Sequence, residues 1–247
     1  MVNTDLLLKN GRCLLLAYDQ GMEHGPTDFN DENIDPQFIV DVAKNAQVFT
    51  GIVFQSGIAE KYSTETPLVI KLNGKTNFHK DEEPLSLQLC SVDRATELGA
   101  KAVGYTVYVG SEHEEAMMQE LARIVGEAHT KNLPVVAWMY PRGKHVEGKE
   151  TSKEVLAYAA RLSLELGADF VKLPYTGDVE SFSWVVKSAG KTKVLVQGGS
   201  KKSVDDFLKQ ASEIIESGAT GMAVGRNIWQ DQNPVELAQK LAKVIFT

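Results

Sequence analysis

Eight times along this chain a short apolar run is followed by a polar stretch. The runs are Cys13–Tyr18, Val48–Phe54, Leu68–Leu72, Ala102–Val109, Leu133–Met139, Phe170–Tyr175, Val194–Val196 and Met222–Val224. Between most of them lie segments with helical spacing of apolar residues, such as Glu112–Asn132, Ser152–Leu166, Ser203–Ser217 and Pro234–Ile245. Short runs that are apolar throughout predict strands buried on both faces, which is the state of a parallel sheet covered by helices. The punctuation agrees. Glu97-Leu-Gly-Ala100, Glu165-Leu-Gly-Ala168 and Glu216-Ser-Gly-Ala219 each put a glycine where a helix ends, just ahead of runs four, six and eight. Eight such units predict an α/β fold, a (β/α)8 TIM barrel rather than an open sheet. The 247 residues suit one barrel domain spanning 1–247, and no linker or low-complexity segment divides them.

Composition excludes several classes. A net charge of -7 argues against nucleic acid as a partner. The longest apolar runs fall short of a membrane span. Met1-Val-Asn-Thr-Asp5 lacks the basic and apolar regions of a secretory signal. Cys13 and Cys90 both fall in elements expected to be buried, so they are expected as reduced core thiols of a cytoplasmic protein.

Within run six, Asp169-Phe-Val-Lys-Leu-Pro-Tyr-Thr-Gly177 sets a lysine inside an apolar strand. Burial disfavours the charged amine and lowers its pKa, and a neutral amine is what attacks a carbonyl to form a Schiff base. Lys172 is therefore either a structural lysine that snorkels or pairs with a carboxylate, or a nucleophile. Barrel enzymes carry their chemistry at the C-terminal ends of the strands. Because side chains at i and i+2 share a face, one register points Asp19, Tyr140 and Lys172 together into the barrel mouth. Tyrosine there can shuttle a proton and aspartate can orient substrate. The plainer roles are an amphipathic strand-end residue for Tyr140 and a turn or cap for Asp19.

Runs seven and eight end in Gly198-Gly-Ser200 and Gly225-Arg-Asn227. Glycines there let backbone amides approach an anion, and the loops after strands seven and eight of such barrels often hold phosphate, with Arg226 able to pair with its oxygens. The five histidines, His24, His79, His113, His129 and His145, show no metal-ligand spacing, and His113 and His129 are expected as solvated residues of one helix. No dinucleotide fingerprint follows the first run. Neither a metal nor a cofactor is expected. The polar segment Asn73–Pro84 is expected as a surface loop or a mobile loop over the site.

Four stretches, Ala17-Tyr-Asp-Gln-Gly-Met-Glu-His-Gly-Pro26, Met139-Tyr-Pro-Arg-Gly143, Val171-Lys-Leu-Pro-Tyr-Thr-Gly-Asp178 and Ala223-Val-Gly-Arg-Asn-Ile228, resemble the archaeal-type class I fructose-bisphosphate aldolases. The resemblance runs over nearly the whole chain. The wider superfamily includes 2-amino-3,7-dideoxy-D-threo-hept-6-ulosonate synthase and a thiolase acting on phosphorylated autoinducer-2. The resemblance implies reversible, metal-independent cleavage of fructose 1,6-bisphosphate to dihydroxyacetone phosphate and glyceraldehyde 3-phosphate. It makes Lys172 the Schiff-base lysine, Tyr140 the general acid/base, Asp19 the strand-one carboxylate and Trp138 a wall of the substrate pocket. Gly198, Gly199, Ser200, Gly225 and Arg226 match the holders of the phosphate next to the ketone, with His24 and Arg142 at the other phosphate. Trp138 and the Asp19–Pro26 loop favour the aldolase over the heptulosonate synthase, which with other ketose-phosphate aldolases and transaldolases is the alternative. A sugar-phosphate sensor without catalysis is a third reading, opposed by the retained lysine, tyrosine and aspartate. A homo-oligomer, often a decamer in relatives, is implied by resemblance alone. Pro174, which has no backbone donor, leaves the ladder geometry beside Lys172 open.

Overall fold

The structure, a computed structural model, describes residues 2–247. Eight parallel strands close into a barrel in sequence order, and the ladder between the first and the last completes it. They are β1 (Cys13–Ala17), β2 (Gly51–Gln55), β3 (Leu68–Lys71), β4 (Ala102–Val109), β5 (Val135–Pro141), β6 (Phe170–Leu173), β7 (Lys193–Gln197) and β8 (Gly221–Val224). After β1 come α1 (Gln20–His24) and α2 (Pro36–Ala46); after β2, α3 (Ser56–Lys61); after β3, α4 (Val92–Glu97). After β4 comes α5 (Glu114–Thr130), after β5 α6 (Lys153–Glu165), after β6 α7 (Val179–Ser188) and after β7 α8 (Val204–Glu216). After β8 come α9 (Arg226–Trp229) and α10 (Pro234–Ile245). Among the described residues no helix is long and apolar enough to cross a membrane.

Local chemistry fixes the helix ends. Ser152, Asp178 and Ser203 each accept, through a side-chain oxygen, the amide of the residue three positions on and so cap α6, α7 and α8. The three expected glycine caps are present. Gly99, Gly167 and Gly218 have φ of 81°, 83° and 91°, and the next residue's amide reaches back to Ala95, Ser163 and Ile214. That is the Schellman closure, which turns each chain from its helix into the following strand.

Boundaries differ from expectation for physical reasons. The run beginning at Val48 enters the ladder only at Gly51, and the run beginning at Leu133 only at Val135. β6 stops at Leu173, just ahead of Pro174, so the missing donor falls beyond the ladder. The expected helix at 112–132 starts at Glu114, with His113 exposed at its cap. His129 is not solvated as expected: it is half-buried, with Nε2 3.0 Å from Asp169 Oδ2.

Inside the barrel a separate apolar cluster includes Leu7, Cys13, Leu15, Val53, Val69, Val136, Phe170 and Leu195. Trp138 lies above them, fully buried. It fits because β4 has Gly104 opposite: a Cβ there would lie 2.0 Å from the indole. The packed lumen thus ends in an indole, and the site stands on it.

Candidate active site

All eleven residues singled out in the sequence line one cavity at the C-terminal mouth of the barrel. These are Asp19, His24, Trp138, Tyr140, Arg142, Lys172, Gly198, Gly199, Ser200, Gly225 and Arg226. Period-two geometry explains the convergence: Trp138 and Tyr140 from β5 and Lys172 from β6 share the inward face, and Trp138 pairs with Lys172 across the ladder.

Lys172 is 6% exposed. Its Nζ lies 5.1 Å from the Trp138 ring centroid and 5.8 Å from that of Tyr140. Burial lowers its pKa to about 8; the Asp19 carboxylate opposes this shift, the Lys71 ammonium adds to it, and Glu23 opposes it. At pH 7 roughly one amine in ten is then neutral, against roughly one in three thousand for an unperturbed lysine. Tyr140 is shifted the other way. Burial holds its phenol well above the usual range, helped by Asp19 and Glu23 and resisted by Arg142. The resting pair is therefore an amine that gives up its proton easily and a phenol that keeps its own.

Two charged residues in the cavity were not foreseen from sequence. Lys71, at the inward end of β3, is 1% exposed and lies 3.8 Å from both Asp19 Oδ2 and Glu23 Oε1. Its Nζ is 5.3 Å from the centre of the Trp138 ring, so two amines lie close to one indole. Glu23 also accepts a hydrogen bond from the Tyr108 hydroxyl at 3.2 Å. The signal for Lys71 was present: Leu68-Val-Ile-Lys-Leu72 is an apolar run broken by one lysine, as around Lys172. Glu23 gave no such signal, since acidic residues are ordinary in a first helical turn. Arg142 stacks over the rings of Tyr108 and Tyr140, at 5.5 and 5.6 Å.

At the opposite side, Asn227 is buried and clamps the loop after β7. Its amide donates to the carbonyls of Gly198 and Ser200, and its carbonyl accepts the Lys202 amide. In a planar trans peptide the N–H points opposite the C=O. The Gly199 amide is therefore aimed away from Asn227. Gly198 contributes shape rather than a donor, because its own N–H is bonded to the Ala223 carbonyl. Gly225 leaves room for Gln20: a Cβ would sit 2.3 Å from its Nε2. His24 shares Asp28 with Arg226, which joins it to this side of the cavity and not to Arg142.

Residues 13–231 match the family model described as DeoC/LacD family aldolase. The class 1 fructose-bisphosphate aldolase of Thermoproteus tenax is 51% identical, covering 98% of this chain and 92% of its own. The fructose-bisphosphate aldolase/6-deoxy-5-ketofructose 1-phosphate synthase of Methanocaldococcus jannaschii is 36% identical over 98% and 83%. Among solved structures, an archaeal fructose-1,6-bisphosphate aldolase with its catalytic lysine covalently bound to the carbinolamine intermediate superposes with a TM-score of 0.94 at 49% identity. That match covers 98% of this chain and 97% of the other. With the fold, the cavity and these matches in hand, the chain belongs to the DeoC/LacD aldolase family.

Proposed function

We propose that the cavity cleaves fructose 1,6-bisphosphate reversibly, as a class I aldolase, with Lys172 as the amine and Tyr140 as the proton carrier. The observation that carries this reading is a lysine buried beside a tyrosine, with the pKa of the first lowered and of the second raised. The same activity names the relatives that match over nearly the whole chain.

Neutral Lys172 Nζ attacks the C2 carbonyl, and a proton moves from nitrogen to oxygen to give the carbinolamine. The Tyr140 phenol protonates the departing hydroxyl, so water leaves and a protonated imine and a phenolate remain. The cationic imine draws the electrons of the C3–C4 bond, while the phenolate takes the C4 hydroxyl proton. Glyceraldehyde 3-phosphate departs and an enamine stays. Tyr140 then returns its proton to C3, and water adds to the imine to free dihydroxyacetone phosphate. A strongly basic phenolate suits this work, because it is produced only beside the new cation that stabilises it.

Asp19 favours positive charge at Lys172 Nζ, which is where the imine charge sits. Lys71 has the opposite effect on the resting amine and is itself held by Asp19 and Glu23. The pair of charges keeps the amine neutral enough to attack and the imine stable enough to form. Gly199 and Arg226 receive the phosphate next to the ketone.

Turnover of fructose 1,6-bisphosphate by purified protein, with and without a chelator, tests the reading. Equal rates in both are expected. Loss of activity with the chelator, or preferred turnover of another ketose phosphate, would contradict it.

A further inference from the structure

Asp28 lies at the end of a 3-10 turn, Gly25–Asp28, in the loop after β1. One of its oxygens, Oδ2, serves two partners: His24 Nδ1 at 2.6 Å and an Arg226 guanidinium nitrogen at 3.4 Å. Its backbone carbonyl accepts the side-chain amide of Gln230 at 2.7 Å, one residue past α9. The residue therefore fastens the loop after β1 to the segment after β8 through both its side chain and its main chain.

We propose that Asp28 is a positioning residue for the phosphate end of the substrate: it orients His24 and Arg226 so that both donate to the same phosphate group. A carboxylate only accepts hydrogen bonds, so the hydrogen between the two side chains sits on His24 Nδ1. With Nδ1 engaged by Asp28, Nε2 is the ring nitrogen left for a ligand, and it donates to a phosphate oxygen when the ring carries both protons. Arg226 gives Asp28 one of its five N–H groups and keeps the rest of its fork for an anion. The side chains of His24, Asp28 and Arg226 are 30%, 20% and 26% exposed, so the cluster is anchored yet open to a ligand. Asp28 needs no contact with the substrate to act in this way. The cost is a carboxylate close to a bound dianion, which electrostatics alone would remove.

That cost gives the test its sign. If Asp28 were only a nearby negative charge, Asp28→Asn would tighten phosphate binding. If it positions, the same substitution loosens binding. The proposal rests on Arg226 being a phosphate contact, so Arg226→Met is assayed in parallel. The measurements are kcat and KM on fructose 1,6-bisphosphate, and borohydride trapping of unphosphorylated dihydroxyacetone. We expect Asp28→Asn to raise KM about fivefold with kcat changed by less than about twofold, the pattern of binding lost equally from ground and transition states. Trapping of dihydroxyacetone, which has no phosphate to lose, stays at the parent level. An unchanged or lowered KM overturns the proposal. So does a matching fall in dihydroxyacetone trapping, which would mark a general structural role. If Arg226→Met raises KM and Asp28→Asn does not, the role of Asp28 alone falls. If neither raises it, the phosphate assignment of Arg226 falls with it.

Discussion

At the scale of single residues, the state of Lys172 is set by three charges. Burial alone would drive the amine neutral, the Lys71 ammonium pushes the same way, and Asp19 and Glu23 pull back. The free enzyme's rate should follow the neutral amine, so kcat/KM should rise with pH through about 8. Lys71→Met removes a repelling cation and leaves two carboxylates without their partner. Both changes favour the charged amine, so the rise should move to higher pH, with activity at pH 7 reduced and partly recovered in alkali. Asp19→Asn should move it to lower pH. A pH–rate profile of each variant decides, and a shift of the same sign in both would contradict this account. Lys172, Tyr140 and Asp19 were legible in the sequence because strand period and an apolar run single them out. Lys71 carries the same mark, a lysine inside an apolar run. Glu23 and Asp28 were not legible at all, since their partners come from other elements.

At the scale of elements, β3 ends in a substitute for a ladder. Asn73 is fully buried, and its amide nitrogen donates to the carbonyls of Ser86 and Thr106. Its side-chain oxygen accepts the Thr106 amide at 2.8 Å. One side chain thus ties the end of β3 to β4 and to the extended segment before α4, two residues after Lys71. Asn73→Ala would strand the buried N–H and carbonyl of Thr106, while the Ser86 carbonyl keeps the Tyr105 hydroxyl at 3.1 Å. It should cost about 3 kcal/mol in urea unfolding with an unchanged slope, since leaving buried polar groups unpaired costs about 1–3 kcal/mol each, partly relieved by water. A loss below about 0.5 kcal/mol would show that the tie does not matter. The sequence showed only a polar segment from Asn73 to Pro84. It gave no hint that the first of those residues faces inward, because a buried asparagine is recognised only by the groups it satisfies. The glycine caps of α4, α6 and α8 were legible, since their chemistry is local to four residues.

At the scale of the whole molecule, the barrel was the most legible property. Eight apolar runs separated by polar stretches leave few ways to bury both faces of every strand, and the closed barrel is the one formed. Closure brings residues more than 150 positions apart to one cavity, Asp19 and Lys172 among them. The packed lumen supports that cavity from below through Trp138, which fits because Gly104 leaves room for it. Two buried lysines then lie within 5.3 Å of the centre of the indole ring, and the mechanism requires that Lys172 rather than Lys71 form the imine. The decisive measurement is reduction with borohydride in the presence of fructose 1,6-bisphosphate, followed by peptide mapping. The account predicts a single adduct on Lys172, absent from Lys172→Met. An adduct on Lys71, or on Lys172→Met protein, would contradict it.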